Sequence, residues 1–161
     1  MTTSVWVKRA GAWGIVALAA IQVYRPAKSN PPITPGNEIA SNLTVDPAAG
    51  AFLTRACNDC HSNRTVWPWY SNVAPVSWLV TSDVNGGRRH MNLSEWSSYP
   101  AQKRGKFLDE MCKRVTSGDM PLWFYKPMHP KAWVSKADID VLCRWTASAR
   151  QTLTTAGANT P

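Results

Sequence analysis

Two cysteines and a histidine stand at Cys57, Cys60 and His61, and a run of aromatics, Trp67, Trp69 and Tyr70, follows them at once. Thiols and an imidazole at this spacing suit three chemistries: half of a zinc site, a redox dithiol, or attachment of a haem. In the last, the thiols add across the two vinyl groups and the adjacent histidine ligates iron. That use has a mechanical logic. One helical turn ending at Cys60 presents both sulfurs to one porphyrin edge, and the next residue swings beneath the metal. A structural zinc site wants a second Cys/His pair, whereas Cys112 and Cys143, the other cysteines, fall on separate predicted helices. A thioredoxin-like dithiol wants a βαβ setting, and no stretch alternates over six or more positions. The spacing therefore points to one haem c, covalent through Cys57 and Cys60, with His61 as its proximal ligand.

An iron on His61 needs a second ligand or keeps an open position. Met120 lies in Ser117-Gly-Asp-Met-Pro121, just after a predicted helix end, where a loop can turn the thioether inward and the proline can hold it. His129, in Met128-His-Pro130, is the main competitor, and His90, Met91 and Met128 are further candidates. Trp67, Trp69, Tyr70 and Trp78 are expected to wall the haem, with ordinary aromatic core as the alternative. Arg64, Arg88 and Arg89 can pair haem propionates or dock an acidic partner, or simply be solvated.

Haem c is assembled on the oxidising, extracytoplasmic side of a membrane, so the chain should carry an export signal. Lys8-Arg9 precedes an uncharged apolar stretch, residues 10–24, that ends at Arg25-Pro26. This is a positive region followed by an apolar one, as in a secretory signal. Small residues at Ala17-Leu18-Ala19 offer a cleavage site, but Ile21, Val23 and Tyr24 continue the apolar run past it. Residues 1–25 are accordingly expected to be an uncleaved signal anchor, and the positive-inside rule leaves residues beyond 26 in the periplasm or its equivalent. Residues 26–46 hold Pro26, Pro31, Pro32 and Pro35 among Ser, Asn and Gly, with little to bury, which predicts a semi-extended linker. The net charge of +8 has one sign along the chain. No block of five like charges and no basic helix with interleaved aromatics occurs, so nucleic acid is not an expected partner.

Four segments must position the site. Residues 47–60 open with Asp46 as N-cap and Pro47 at the first helical position, and Phe52, Leu53 and Ala56 lead into the cysteines. Residues 75–84 place Val76, Leu79, Val80 and Val84 at helical spacing and stop at Gly86-Gly87. Residues 102–116 put Phe107, Leu108, Met111, Cys112 and Val115 on one face. Residues 135–150 begin with Ser135 three positions before Asp138, a capping-box variant, and carry Val141, Leu142, Trp145 and Ala149 inward. The domain, residues 47–150, should be all-α, a small cytochrome c-like fold with long loops wrapped around one haem, followed by a flexible tail over 151–161. In an exported domain Cys112 and Cys143 are expected to form a disulfide, two buried free thiols being the alternative.

Several stretches agree with a known pattern: Cys57-Asn-Asp-Cys-His-Ser62, Thr65-Val-Trp-Pro-Trp-Tyr-Ser-Asn-Val-Ala-Pro-Val-Ser-Trp78, Gly87-Arg88, Asn92, Ser94-Glu-Trp96, Gly118-Asp-Met-Pro-Leu122 and His129-Pro130. Over about residues 45–148 the chain resembles the bacterial haem-binding domain family of c-type cytochromes. The resemblance implies a single-haem helical electron carrier, with Cys57 and Cys60 as thioether sites, His61 proximal and Met120 distal. Members also tend to carry cysteines at the positions of Cys112 and Cys143. The expected function is a membrane-anchored carrier, not an enzyme, moving single electrons to or from a redox protein or membrane electron-transfer complex. Two other classes stand beside it: a haem sensor or peroxidase-like enzyme with an open axial position, and an accessory haem subunit of a respiratory or photosynthetic complex.

Overall fold

In a computed structural model describing residues 2–158, every regular element is helical and no strand occurs among the described residues. The α-helices are α1 (Thr2–Ile21), α2 (Ile39–Asn42), α3 (Pro47–Ala56), α4 (Asn58–His61), α5 (Val76–His90), α6 (Ala101–Thr116) and α7 (Lys136–Ala158). Short 3₁₀ turns cover Trp69–Asn72, Leu93–Ser98, Lys126–Met128 and Pro130–Ala132.

The main core lies between α3, α6, α7 and the Leu93–Ser98 turn. Phe107, Leu108, Met111 and Val115 make the inward stripe of α6, and Leu142, Trp145 and Ala149 that of α7. Both stripes repeat every three or four residues, which aligns them on one side of a 3.6-residue helix. Tyr99 meets Phe107 edge-on, centroids 5.1 Å apart, a pairing that contributes roughly 0.5–1.5 kcal/mol beyond its buried area. A disulfide between Cys112 and Cys143 ties α6 to α7. The helix starts agree with the sequence signals. Asp46 accepts from the amides of Ala48 and Ala49, and at α7 the Ser135 amide donates to Asp138 Oδ2 (2.9 Å) while the Asp138 amide donates to Ser135 Oγ (3.1 Å). Arg55 bridges the two helices, 2.5 Å from Asp138.

Four boundaries differ from expectation. The helix predicted over 47–60 breaks at Cys57 (φ −123°, ψ −39°) into α3 and α4, a kink that no Gly or Pro announces. The Cys57 amide closes α3 on the Leu53 carbonyl, and the Cys57 carbonyl starts the next turn by accepting from the amides of Cys60 and His61. In turn, α5 does not stop at Gly86-Gly87 but runs on to His90. Those glycines stay helical, and Gly87 serves close packing. Residues 151–158 continue α7 instead of forming a tail, and 159–161 lie outside the described residues.

The fourth difference concerns residues 26–46, which apart from α2 carry no regular element but are not free. Ile39 and Leu43 are buried in the main core, so this stretch has more to bury than its composition suggests. Arg88 donates to the Ser29 carbonyl (2.7 Å) and to Asn30 Oδ1 (2.9 Å), Asn30 donates to the Thr65 carbonyl, Asn63 to the Pro32 carbonyl, and Arg64 pairs with Glu38. The segment is a strap laid along the domain.

Candidate haem site

The site begins with α4. The kink at Cys57 separates the two thiols: Cys60 faces a cleft of about 730 Å³, and Cys57 faces an adjoining cavity of about 300 Å³. His61, Met120, Pro121, Ala56 and His90 line both, so the two spaces meet at the imidazole and the thioether. Their sizes fall within the roughly 300–1,000 Å³ of cofactor sites. Burial pushes the thiols of both Cys57 and Cys60 up to about 12, with the charge of Cys60 adding at Cys57 and those of Asp59 and Asp83 adding at Cys60. Both cysteines are unbridged thiols.

One contact of His61 also sets its chemistry. Its Nδ1 lies 3.0 Å from the Met91 carbonyl oxygen. A carbonyl only accepts, so Nδ1 carries the proton and Nε2 keeps its lone pair. Burial, foremost, holds the imidazole below its usual range, which keeps it neutral. A neutral imidazole oriented through its far nitrogen is the form that binds a metal.

Met91 is fixed in turn by a buried polar network. The Asn92 side chain donates to Asn63 Oδ1 (2.8 Å), the Asn63 amide donates to Ser94 Oγ (3.1 Å), the Ser94 amide donates to Asn92 Oδ1 (3.0 Å), and the Asn92 amide donates to the Tyr99 hydroxyl (2.9 Å). Asn63, Asn92 and Ser94 are all buried. This is the use of the Asn92 and Ser94-Glu-Trp96 motif, whose role could not be read from its residue types.

Opposite α4 stands α5. Val76, Leu79 and Val80 line the cleft, and Val76 and Leu79 stay 43 % and 48 % exposed. Their spacing marks an apolar helix face correctly, but that face borders the cleft and not the core. Gly87 lets α5 approach α4: a Cβ there would lie 2.4 Å from the Cys60 carbonyl oxygen. The 120–129 loop makes the third wall with Met120, Leu122, Phe124, Tyr125, Met128 and His129.

Met120 comes two residues after Gly118, whose φ of +78° makes the turn out of α6 and favours glycine. The loop is held by the Met120 amide donating to the Arg114 carbonyl and by the Arg114–Asp119 ion pair. His129 also reaches the cleft but is engaged: it stacks on Tyr125 (centroids 3.7 Å, 11°), its Nδ1 donates to the Tyr125 carbonyl, and the Tyr70 hydroxyl lies 3.4 Å from Nε2. Of the other ligand candidates, His90 pairs with Glu110 at the surface, Met91 serves through its carbonyl, and Met128 is 53 % exposed on the cleft wall.

Of the four expected wall aromatics, Trp69 and Tyr70 line the cleft. Trp67 and Trp78 do not. Trp67 donates its indole N–H to Asn30 of the strap, and Trp78 donates its own to the Tyr24 carbonyl and packs edge-on against the Tyr24 ring. The aromatic run turns at Pro68 into a 3₁₀ helix, and that turn splits its rings between cleft and strap. Arg88 and Arg64 are likewise spent on the strap, leaving Arg89 as the arginine that lines the cleft.

Asp59, between the cysteines, is a positioning residue that spacing did not reveal. Its carboxylate accepts from the Val66 amide (3.0 Å) and the Tyr125 hydroxyl (2.7 Å), and its carbonyl accepts from Thr65 Oγ1. Burial, then that hydrogen bond, pushes the Tyr125 phenol up. One side chain thus joins two cleft walls to α4.

The residues present fit a haem. An oriented imidazole, a thioether on the facing loop, two thiols on one turn and a cleft lined mainly by Val, Leu, Trp, Phe and Met could supply iron ligands, attachment points and an apolar slot. Fold and site together define a small helical haem-binding domain. The family model described as Haem-binding domain matches residues 16–148, and the chain belongs to that family. Neither a curated protein nor a solved structure matches it.

Proposed function

We propose that this chain is a membrane-anchored monohaem c-type cytochrome that carries single electrons between redox partners on the extracytoplasmic side. The observation that carries this reading is His61 held as the Nδ1–H tautomer by the Met91 carbonyl while Met120 lines the same space. A haem bound there supplies one-electron exchange between ferrous and ferric iron. The protein's part is to orient Nε2, offer the thioether and exclude water with Val76, Leu79, Trp69 and Tyr70, which favours the less charged ferrous state. No side chain is required as acid, base or nucleophile. The anchor reading is supported by α1, whose window Ser4–Ile21 is long and apolar enough to cross a membrane by length and composition and has none of its residues buried.

The test is expression of the full chain with the haem c maturation machinery. Covalently bound haem that survives acid-acetone extraction is expected, and its absence sinks the proposal. Met120→Ala should abolish the thioether-to-iron charge-transfer band and lower the reduction potential. An unchanged spectrum would assign the second ligand to His129. Rapid CO binding by the reduced wild type would favour a sensor or enzyme with an open position over a carrier.

A further inference from the structure

We infer that the surface patch around Ala74 that carries Trp69, Val73 and Val76 docks in the headgroup region of the bilayer, so that the domain is seated on the membrane and does not hang from a loose tether. The inference rests on the reading of α1 as an anchor. Three contacts join the end of that helix to one short segment of the domain. The Gln22 side-chain amide donates to the Ala74 carbonyl (3.1 Å) and accepts from the Ala74 amide (2.9 Å), a reciprocal pair spanning 52 positions of sequence. Trp78 donates to the Tyr24 carbonyl (3.0 Å), and the two rings meet edge-on at 5.8 Å. Lys28 donates to Ser71 Oγ and Asn72 Oδ1. All of these partners lie within residues 71–78.

Gln22 is one position beyond the apolar window, an axial step of about 1.5 Å in a helix. On the anchor reading Ala74, gripped by it, therefore lies near the domain-side end of the membrane-crossing helix. Around Ala74, Trp69 is 72 % exposed, Val73 47 % and Val76 43 %. Val73 does not line the cleft, so a haem in the cleft does not account for its exposure. The Tyr24/Trp78 pair has the amphipathic character of residues found at membrane interfaces, and Arg25 and Lys28 place positive charge at the same level, complementary to anionic headgroups. Interfacial side chains sink about 5–10 Å into this region, within reach of residues adjacent to Ala74. Because Trp69 and Val76 also line the cleft, that side of its opening faces the lipid surface.

The test places the photoreactive residue p-benzoylphenylalanine at position 73 of the full chain, or at 148 on α7 as a control, in vesicles of phosphatidylethanolamine and phosphatidylglycerol. Flotation with the vesicles is measured first, then irradiation and mass spectrometry read the adducts. Flotation, with lipid adducts several-fold more abundant at 73 than at 148, is the expected result. Flotation with equal adducts at the two positions overturns the docking and leaves the anchor standing. Adducts at 73 to a second protein chain also overturn it, since a protein would then cover the patch. Failure to float removes the anchor reading and the docking together.

Discussion

Gly87→Ala tests whether close approach of α5 to α4 is what sets the imidazole. The added methyl would lie 2.4 Å from the Cys60 carbonyl oxygen, 2.9 Å from its carbon and 3.1 Å from Cys60 Cβ. A carbon and a carbonyl oxygen rest comfortably at about 3.3 Å, so the two helices must part by about 0.9 Å. The obstruction is backbone, which cannot swing aside as a side chain would. Overpacking of this kind costs about 1–3 kcal/mol, and the gain from replacing a helical glycine offsets about 1 kcal/mol of it. Met91 directly follows α5, so the same displacement takes its carbonyl and His61 Nδ1 from 3.0 Å beyond hydrogen-bonding range. Losing such an orienting partner typically weakens metal ligation about 10–100-fold.

Gly86→Ala is the control, because the nearest atom to its Cβ would be Arg89 Nη2 at 3.9 Å, an ordinary contact. That variant should be stabilised by about 0.5–1 kcal/mol. The assay is urea unfolding of both variants, with haem content per chain and reduction potential measured alongside. Expected for Gly87→Ala is lower stability, less haem and a shifted potential. If the two variants unfold at the same urea concentration and hold haem alike, the reasoning fails.

The same geometry sets further outcomes. Replacing Cys112 and Cys143 by Ser opens a 31-residue loop and should lower stability by roughly 2–4 kcal/mol in urea unfolding while leaving the haem spectrum unchanged. Arg88→Gln removes the donors to Ser29, Asn30, Ser62 and Thr65, so limited proteolysis should cut within residues 26–46 of the variant before it cuts the wild type. Burial opposes ionisation of Asp138, but hydrogen bonds from Ser135 and Arg55 outweigh it and hold the carboxyl below 3.8. Its contribution is therefore present above that value and lost as pH falls through the lower folded one; a Ser135→Ala, Asp138→Ala double variant should show a shallower loss of stability than the wild type in acid titration.

Much was legible in the chain. Residue type and spacing mark Cys57, Cys60 and His61 as the candidate site because their grouping is local, confined to one turn. The helix starts at Asp46-Pro47 and Ser135-Asp138 are legible for the same reason, since a cap acts within four residues. The stripe of Val76, Leu79 and Val80 marks a helix face, but periodicity states only that a face avoids water. That it borders a cleft depends on α4 and the Met120 loop arriving from elsewhere.

Long-range partners decided the rest. Gly86-Gly87 resembles a helix stop in isolation, yet Gly87 is where another backbone passes, and only α4's position distinguishes the two. Trp67 and Trp78 match Trp69 and Tyr70 in type and neighbourhood, but the turn at Pro68 and the contacts with Asn30 and Tyr24 divide them. The Met91 carbonyl that fixes the tautomer of His61 has no sequence signal, because a backbone oxygen is the same at every residue. Sequence by itself determined which candidate haem-binding atoms this protein carries; the tertiary structure decided which way each of them faces, since orientation here comes from contacts between residues far apart in the chain.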